Sequence, residues 1–502
     1  MESFIDKVVN VSDFIWGGTW NGEQLLPFPP MVLALLGVGL YFMVGLRFYP
    51  LRQLFPALGG LFGRAGKGDG QGEISPFAAL STALSGQVGT GNLAGVATAI
   101  ALGGPGAIFW MWVTALIGMG LAFAEGALAI RFRERAPDGA WRGGPMTYIT
   151  QGLGPRWTWL AVLFCLGTLF SALVTGNGIQ SNSVADSIHG LTGWSDWVAG
   201  LLVAILVFIV IIGGIRSIGA VAEKVVPIMA GAYILMAIIA IVLNFGSIPE
   251  AFGRIFHGAF NPQAASGGFV GAAVLLAIRA GVARGLFSNE AGQGSTPIAH
   301  AVAQTNDPRV QGRFAMLGTF IDTIIICTMT ALVILTVEGN FTHTRPDGVV
   351  EPVLHAWQSD LKGFAVTSGA FAAAFPWQFG GIALGSAVAS VALILFVFTT
   401  LLTWSYYGER ALTFLYGRMG GRSAAGERRL LLSWRLLWCV AIFVGSYQDL
   451  TLVWRLGDIA NAAMALPNLI ALAALSGVVF AIARGNLRAT RRAAAAEPAA
   501  AQ

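Results

Sequence analysis

Charge is scarce in this chain. Asp, Glu, Lys and Arg together make up 11% of its 502 residues, against roughly 25% in an ordinary soluble protein. So few charges cannot cover the surface of a soluble protein this large. Hydrophobic residues reach 55%, which also excludes disorder, because disordered segments are charge-rich and poor in large apolar side chains. Histidine is rare as well, at five scattered residues. No cluster of Asp, Glu and His and no nucleophile beside a base is evident, which argues against a membrane-embedded enzyme. The three cysteines, Cys165, Cys327 and Cys439, lie in apolar runs without paired spacing, so neither a disulfide framework nor a zinc site is expected. There is no P-loop to bind a nucleotide and no filter repeat of a channel. The N-terminus shows no basic stretch leading into an apolar one, so no cleavable signal peptide is expected.

Glycine is abundant instead, with 66 residues. It is common in membrane helices, where it lets backbones approach closely. The composition is that of an all-α polytopic membrane protein. A spanning helix needs about 20 mostly apolar residues. Eleven candidates occur: 30–48, 77–102, 104–131, 157–180, 196–213, 221–245, 267–302, 314–338, 378–405, 433–449 and 456–484. The net charge of +5 reads as loop anchoring to the lipid bilayer rather than nucleic-acid binding. With the N-terminus outside, 23 of the 30 Lys and Arg residues fall on the inner side and 5 on the outer, leaving Arg279 and Arg284 within the seventh candidate. That bias predicts an outer N-terminus and a cytoplasmic C-terminus.

Three connections stand apart. Residues 1–29 form an outer segment in which Phe4, Ile5, Val8 and Val9 suggest an interfacial helix. Residues 339–377 hold an apolar stretch, 364–375, too short to span; a lid and a plain solvated loop both fit. The tail 485–502 is expected to be disordered beyond Ala493.

Polar residues at membrane depth carry function more often than not. The second candidate contains Ser85-Gly86-Gln87-Val88-Gly89-Thr90-Gly91-Asn92. Each Gly costs about 1 kcal/mol relative to Ala in a helix, and freed backbone groups need partners other than lipid. A break lining a cavity and close packing through small residues are the two readings. Packing alone does not call for Gln87, Thr90 and Asn92. The seventh candidate repeats the pattern from Arg279 to Ser295. The two lie five apart in helix order, an odd number, so two five-helix halves, 77–245 and 267–484, face opposite ways, with 30–48 as an additional helix. Interrupted helices at matching places in two halves mark a carrier's central site.

These residues resemble those of the alanine or glycine:cation symporter family. The resemblance rests on Gly89-Thr90-Gly91-Asn92-Leu93-Ala94-Gly95, Gly103-Gly104-Pro105-Gly106, Gly143-Gly144-Pro145-Met146, Gly285-Leu286-Phe287-Ser288-Asn289-Glu290-Ala291-Gly292 and Trp404-Ser405-Tyr406-Tyr407-Gly408-Glu409. It runs from about residue 30 to 485, with a local departure at Thr147. It implies the five-plus-five inverted-repeat fold of the leucine transporter, sodium as coupling ion with no other cofactor, and import of small neutral amino acids, alanine or glycine, through a bacterial inner membrane. A proton-coupled carrier of the same fold is the alternative.

On this reading the substrate carboxylate meets the Thr90–Gly91–Asn92 amides, beside Gln87, because half-helix N-termini attract anions. The Gly281–Gly285 region is a second such end. Asn177 and Gln180, three apart and so on one helix face, belong near the site or form a helix-end pair. Phe287 and Trp404 are expected to close the side-chain end. Sodium wants oxygen ligands. Thr399 and Thr400 either bond back to their own helix or, as the related fold implies, join the Ser85 and Val88 carbonyls around the ion. Arg279 and Arg284, with Glu290, are expected to brace the broken helix; Glu125 and Asp322 read as ion-path groups or paired structural charges.

Overall fold

The long apolar runs fold as helices, and some of their ends fall at Gly or Pro, as in Pro30–Gly45. The computed structural model describes residues 3–26, 28–136, 139–260, 270–345, 347–421, 423–447 and 450–485. Among them, six helices are long and apolar enough to cross a membrane: Gly106–Arg131, Pro155–Thr192, Gly214–Leu243, Pro308–Thr336, Leu384–Arg418 and Val453–Ala474. Shorter apolar helices include Pro30–Gly45, Asp196–Ile211 and Phe364–Ala374. The tail beyond Gly485 and its expected disorder lie outside the described residues, as do 267–269 of the seventh candidate.

The second candidate is broken. Pro76–Gln87 is helical, Val88 is extended, and a wide turn over Gly91–Gly95 leads into Val96–Gly103. The seventh is also broken, within the Arg279–Ser295 stretch but at its far end rather than at Gly281–Gly285. Val270–Asn289 is continuous, and the helix is interrupted at Glu290, Gly292 and Gly294, all at positive φ, before Thr296–His300. The glycines at 281 and 285 serve packing instead. A Cβ at Gly281 would sit 2.4 Å from the carbonyl oxygen of Ala107, so Gly281 lets the helix lie directly on Gly106–Arg131. No helix end is available there for an anion.

Other boundaries shift for local reasons. The fourth candidate runs on to Thr192 through a wide turn over Ala172–Gly178. The ninth starts at Leu384, after a small hairpin, and continues to Arg418. The outer segment contains Phe4–Gly17, a helix capped by Ser3. Phe4 and Ile5 at its start are exposed, whereas Trp16 is buried and donates to the carbonyl of Asp458 at 3.0 Å.

The two broken helices meet at one end of the molecule. Glu73 N–H donates to the Val302 carbonyl at 2.8 Å, and Ile74 bridges to Ala303. Arg133 clamps this junction, donating to the carbonyls of Ala301, Ala303, Thr305 and Gln71 at 2.7–3.1 Å.

Candidate functional site

The break after Gln87 frees backbone groups deep in the bundle. Thr400, on the long Leu384–Arg418 helix, places its hydroxyl 3.1 Å from the carbonyl oxygen of Val88. The same hydroxyl lies 2.9 Å from the Phe396 carbonyl. One hydroxyl proton serves both, so the oxygens outnumber the protons. A Cβ at Gly89 would come within 2.7 Å of Thr400 Oγ1, so only glycine allows this approach.

Thr399 does not join the group. Its hydroxyl donates back to Phe396 at 3.0 Å and faces Met229. Adjacent helical side chains diverge by about 100°, so one of the pair had to turn away. Thr403, one turn on from Thr400, takes its place beside the first broken helix. It hydrogen-bonds Ser85 Oγ and donates to the Thr82 carbonyl at 3.1 Å. Ser85 Oγ itself lies 2.8 Å from that carbonyl.

Asn177 and Gln180 also part company. The wide turn over Ala172–Gly178 breaks the three-residue spacing that an α-helix would keep. Asn177 turns to the Trp438 carbonyl, donating at 3.0 Å. Gln180 reaches the break, where its Oε1 accepts from the Thr90 amide at 3.2 Å. The Thr90 hydroxyl is buried without a partner, and so is Oε1 of Gln87, whose amide nitrogen donates to the Asn289 carbonyl.

Asn92 ties the first broken helix to the Pro308–Thr336 helix. Its Oδ1 accepts from the Gly89 amide at 2.9 Å, and its Nδ2 donates to Asp322 Oδ1 at 2.6 Å. Ser288 and Thr323 donate to the other Asp322 oxygen, both at 2.7 Å. The Asn92 side chain is therefore a bridge rather than a free polar contact.

Aromatic rings wall the region. Phe287 packs against Trp454 with ring centres 4.9 Å apart and planes tilted by 38°, and a Cβ at Gly91 would lie 3.0 Å from the Phe287 ring. Trp404 donates its indole N–H to Glu290 at 3.0 Å and lies over Gly176, where a Cβ would fall 2.5 Å from the ring. The expected Arg–Glu290 brace is absent among the described ion pairs. Arg284 instead pairs with Asp458 at 3.1 Å, and Arg279 with Asp13.

The sequence pattern of the "Sodium:alanine symporter family" matches residues 17–499. The chain belongs to this family. It is 41% identical over 479 residues to an uncharacterised transporter of Haemophilus influenzae, covering 95% of each chain. It is 40% identical over 480 residues to the sodium/alanine symporter AgcS of Methanococcus maripaludis, covering 95% of this chain and 96% of that one. The structure of MhsT in complex with L-phenylalanine shares the fold, with a TM-score of 0.55 at 13% identity over 81% of this chain and 89% of that one. The chain is thus a multi-pass membrane protein of a transport family.

In this family member, sequence reasoning missed Thr403, Gly176 and the position of Glu290. The signal for Thr403 was available, since it is three residues from Thr400 and shares its helix face. Gly176 gives no such signal, because its contact with Trp404 depends on a wide turn that no side chain announces.

Proposed function

We propose that the chain is a secondary symporter that imports alanine and glycine, driven by a sodium gradient through alternating access. It does so through eleven spans: an additional helix at 30–48 and two inverted five-helix halves, 77–245 and 267–484, with the N-terminus outside. The observation that carries this reading is the Thr400 hydroxyl on the Val88 carbonyl. A helical hydroxyl that meets a freed carbonyl next to Gly89 gives a hard cation the oxygen ligands it prefers.

The substrate carboxylate displaces Gln180 Oε1 from the Thr90 amide, which then binds an anion at a half-helix N-terminus. Gln180 turns its amide N–H groups to the same carboxylate. Gly91 and Asn92 complete that end, with Gln87 behind them. Phe287 and Trp404, packed against Gly91 and Gly176, close the other end and admit a small side chain only. Sodium binds between Val88, Ser85 and the Thr400 face, with Thr403 beside it.

Proton coupling is the second reading, and one observation favours it. Glu125, Glu290 and Asp322 are buried, and none has a basic partner among the described ion pairs. A proton on one of them neutralises a charge that is otherwise costly to bury. Uptake of labelled alanine into reconstituted vesicles separates the two. Accumulation that stops when choline replaces sodium at a fixed pH gradient supports sodium coupling. Accumulation that persists and follows the pH gradient supports protons.

A further inference from the structure

A cavity opens where the Leu384–Arg418 helix ends, beside the end of the second broken helix. Its volume is about 270 Å³, and Arg142, Arg410, Arg418 and Glu134 line it, together with Gly143 and Met146. That volume is just under the ~300 Å³ at which drug-sized pockets begin, enough for one small group.

The chemistry around it favours an anion. Three guanidinium groups face one lining carboxylate. Glu134 is engaged by the Gln151 amide at 2.8 Å. Arg142 is paired with Glu427. Arg410 lies 3.8 Å from Glu409, which Arg435 holds more closely at 2.6 Å. The Arg410 Nε donor is buried and has no acceptor. Arg418, at the exposed rim, lies over the ring of Phe414. The helix Pro145–Gly152 starts at this wall, with Gly144 before it at a φ of 119°, so the positive end of its dipole adds to the arginine field. Planar guanidinium forks and a helix N-terminus together suit the oxygens of a phosphate group.

We propose that this cavity binds a phosphate group, carried either by an anionic lipid headgroup or by a soluble phosphate. The phosphate oxygens accept from Arg410 and Arg418, and the ligand joins the end of the long helix to the connection after Gly106–Arg131. The same connection carries Arg133, so occupancy stiffens the clamped junction of the two broken helices. The site lies apart from the substrate region and does not depend on the transport reading.

The test uses the full-length purified protein and follows thermal unfolding. One arm adds inorganic phosphate in detergent, with chloride at equal ionic strength as control. The other compares nanodiscs of phosphatidylcholine alone with nanodiscs containing phosphatidylglycerol. Arg410→Gln, the exposed Arg418→Gln and the double variant are run beside wild type. The expected result is a saturable rise in midpoint with phosphate, with phosphatidylglycerol, or with both. The double variant needs at least tenfold more ligand, and Arg418→Gln falls between. Response to phosphate alone assigns a soluble ligand, and response to the lipid alone assigns a headgroup. Equal midpoints in all wild-type conditions overturn the proposal, as does an Arg418→Gln protein, folded by its unfolding cooperativity, that responds like wild type along with the double variant.

Discussion

Thr400 Oγ1 lies 3.1 Å from the carbonyl oxygen of Val88, across 312 positions of sequence. Its neighbour Thr399 faces Met229 instead. This asymmetry separates two substitutions that composition makes look alike. Thr400→Ala removes an oxygen from the proposed cation site. The sodium concentration giving half-maximal alanine uptake should rise about tenfold, equivalent to about 1.4 kcal/mol. Thr399→Ala should leave it within twofold. A sodium titration of uptake by both variants checks this, and equal shifts would remove Thr400 from its assigned role.

Selectivity should respond at Gly176. A Cβ there falls 2.5 Å from the Trp404 ring, and overpacking of this kind costs about 1–3 kcal/mol. The ring must shift, and a shift toward the space proposed for substrate narrows it. Gly176→Ala should therefore weaken alanine uptake more than glycine uptake. Trp404→Ala should do the reverse and admit larger neutral amino acids. Competition by unlabelled amino acids of graded size measures both. An unchanged size order in both variants, with transport intact, would falsify the proposed wall.

The outer connection offers a third test. Thr367, on the helix Phe364–Ala374, donates its hydroxyl to the Leu93 carbonyl at 3.0 Å. That contact joins the connection to the half-helix that follows the first break, as a lid would be. A cysteine at half-buried Ser368 should react more slowly with a polar maleimide when sodium and alanine are added together than with either alone. Identical rates in every condition would make the connection a static cover.

Topology is the fourth. A reporter fused after Arg492 should read cytoplasmic, and one inserted near Asp347 should read external. The 23-to-5 basic bias motivates both. Reversed signals would invert the proposed arrangement of the halves.

Long-period features were legible in the sequence, and local rearrangements were not. The first break was readable because Gly and polar residues interrupt an apolar run at one place, Ser85–Asn92. Within the second, the helix end was assigned to Gly281–Gly285 rather than to 290–294 because glycine has two uses. Gly281 and Gly285 bring helices together, whereas Gly292 and Gly294 take the positive φ that interrupts the helix. Both look the same in one dimension. The Asn177–Gln180 pairing failed because it assumed 3.6 residues per turn, and the turn over Ala172–Gly178 is wider. The Asn92–Asp322 contact joins residues 230 positions apart. Nothing in either local sequence specifies the other.

The last prediction concerns the clamp at the junction of the broken helices. Arg133 donates to four carbonyls, those of Gln71, Ala301, Ala303 and Thr305, and its guanidinium lies 4.4 Å from the centre of the Trp141 ring. The carbonyls flank the start of the first broken helix and the end of the second. Hydrogen bonds to a charged donor contribute about 1.5–3 kcal/mol each when well made, although four on one group do not add fully. In the proposed alternating-access cycle this junction parts when the carrier opens on that side. Arg133→Gln keeps one amide donor group and loses the fork, so it should shift the resting population toward the parted state. A cysteine at Gln304 should then be labelled at least fivefold faster than in the parent, and addition of sodium should recover less of the protection. Exchange rates of substrate across the membrane should rise relative to net sodium-driven accumulation, since a looser junction opens without waiting for both ligands. If labelling at Gln304 is the same in both backgrounds and net accumulation is undiminished, the Arg133 bonds are structural support and the junction parts elsewhere.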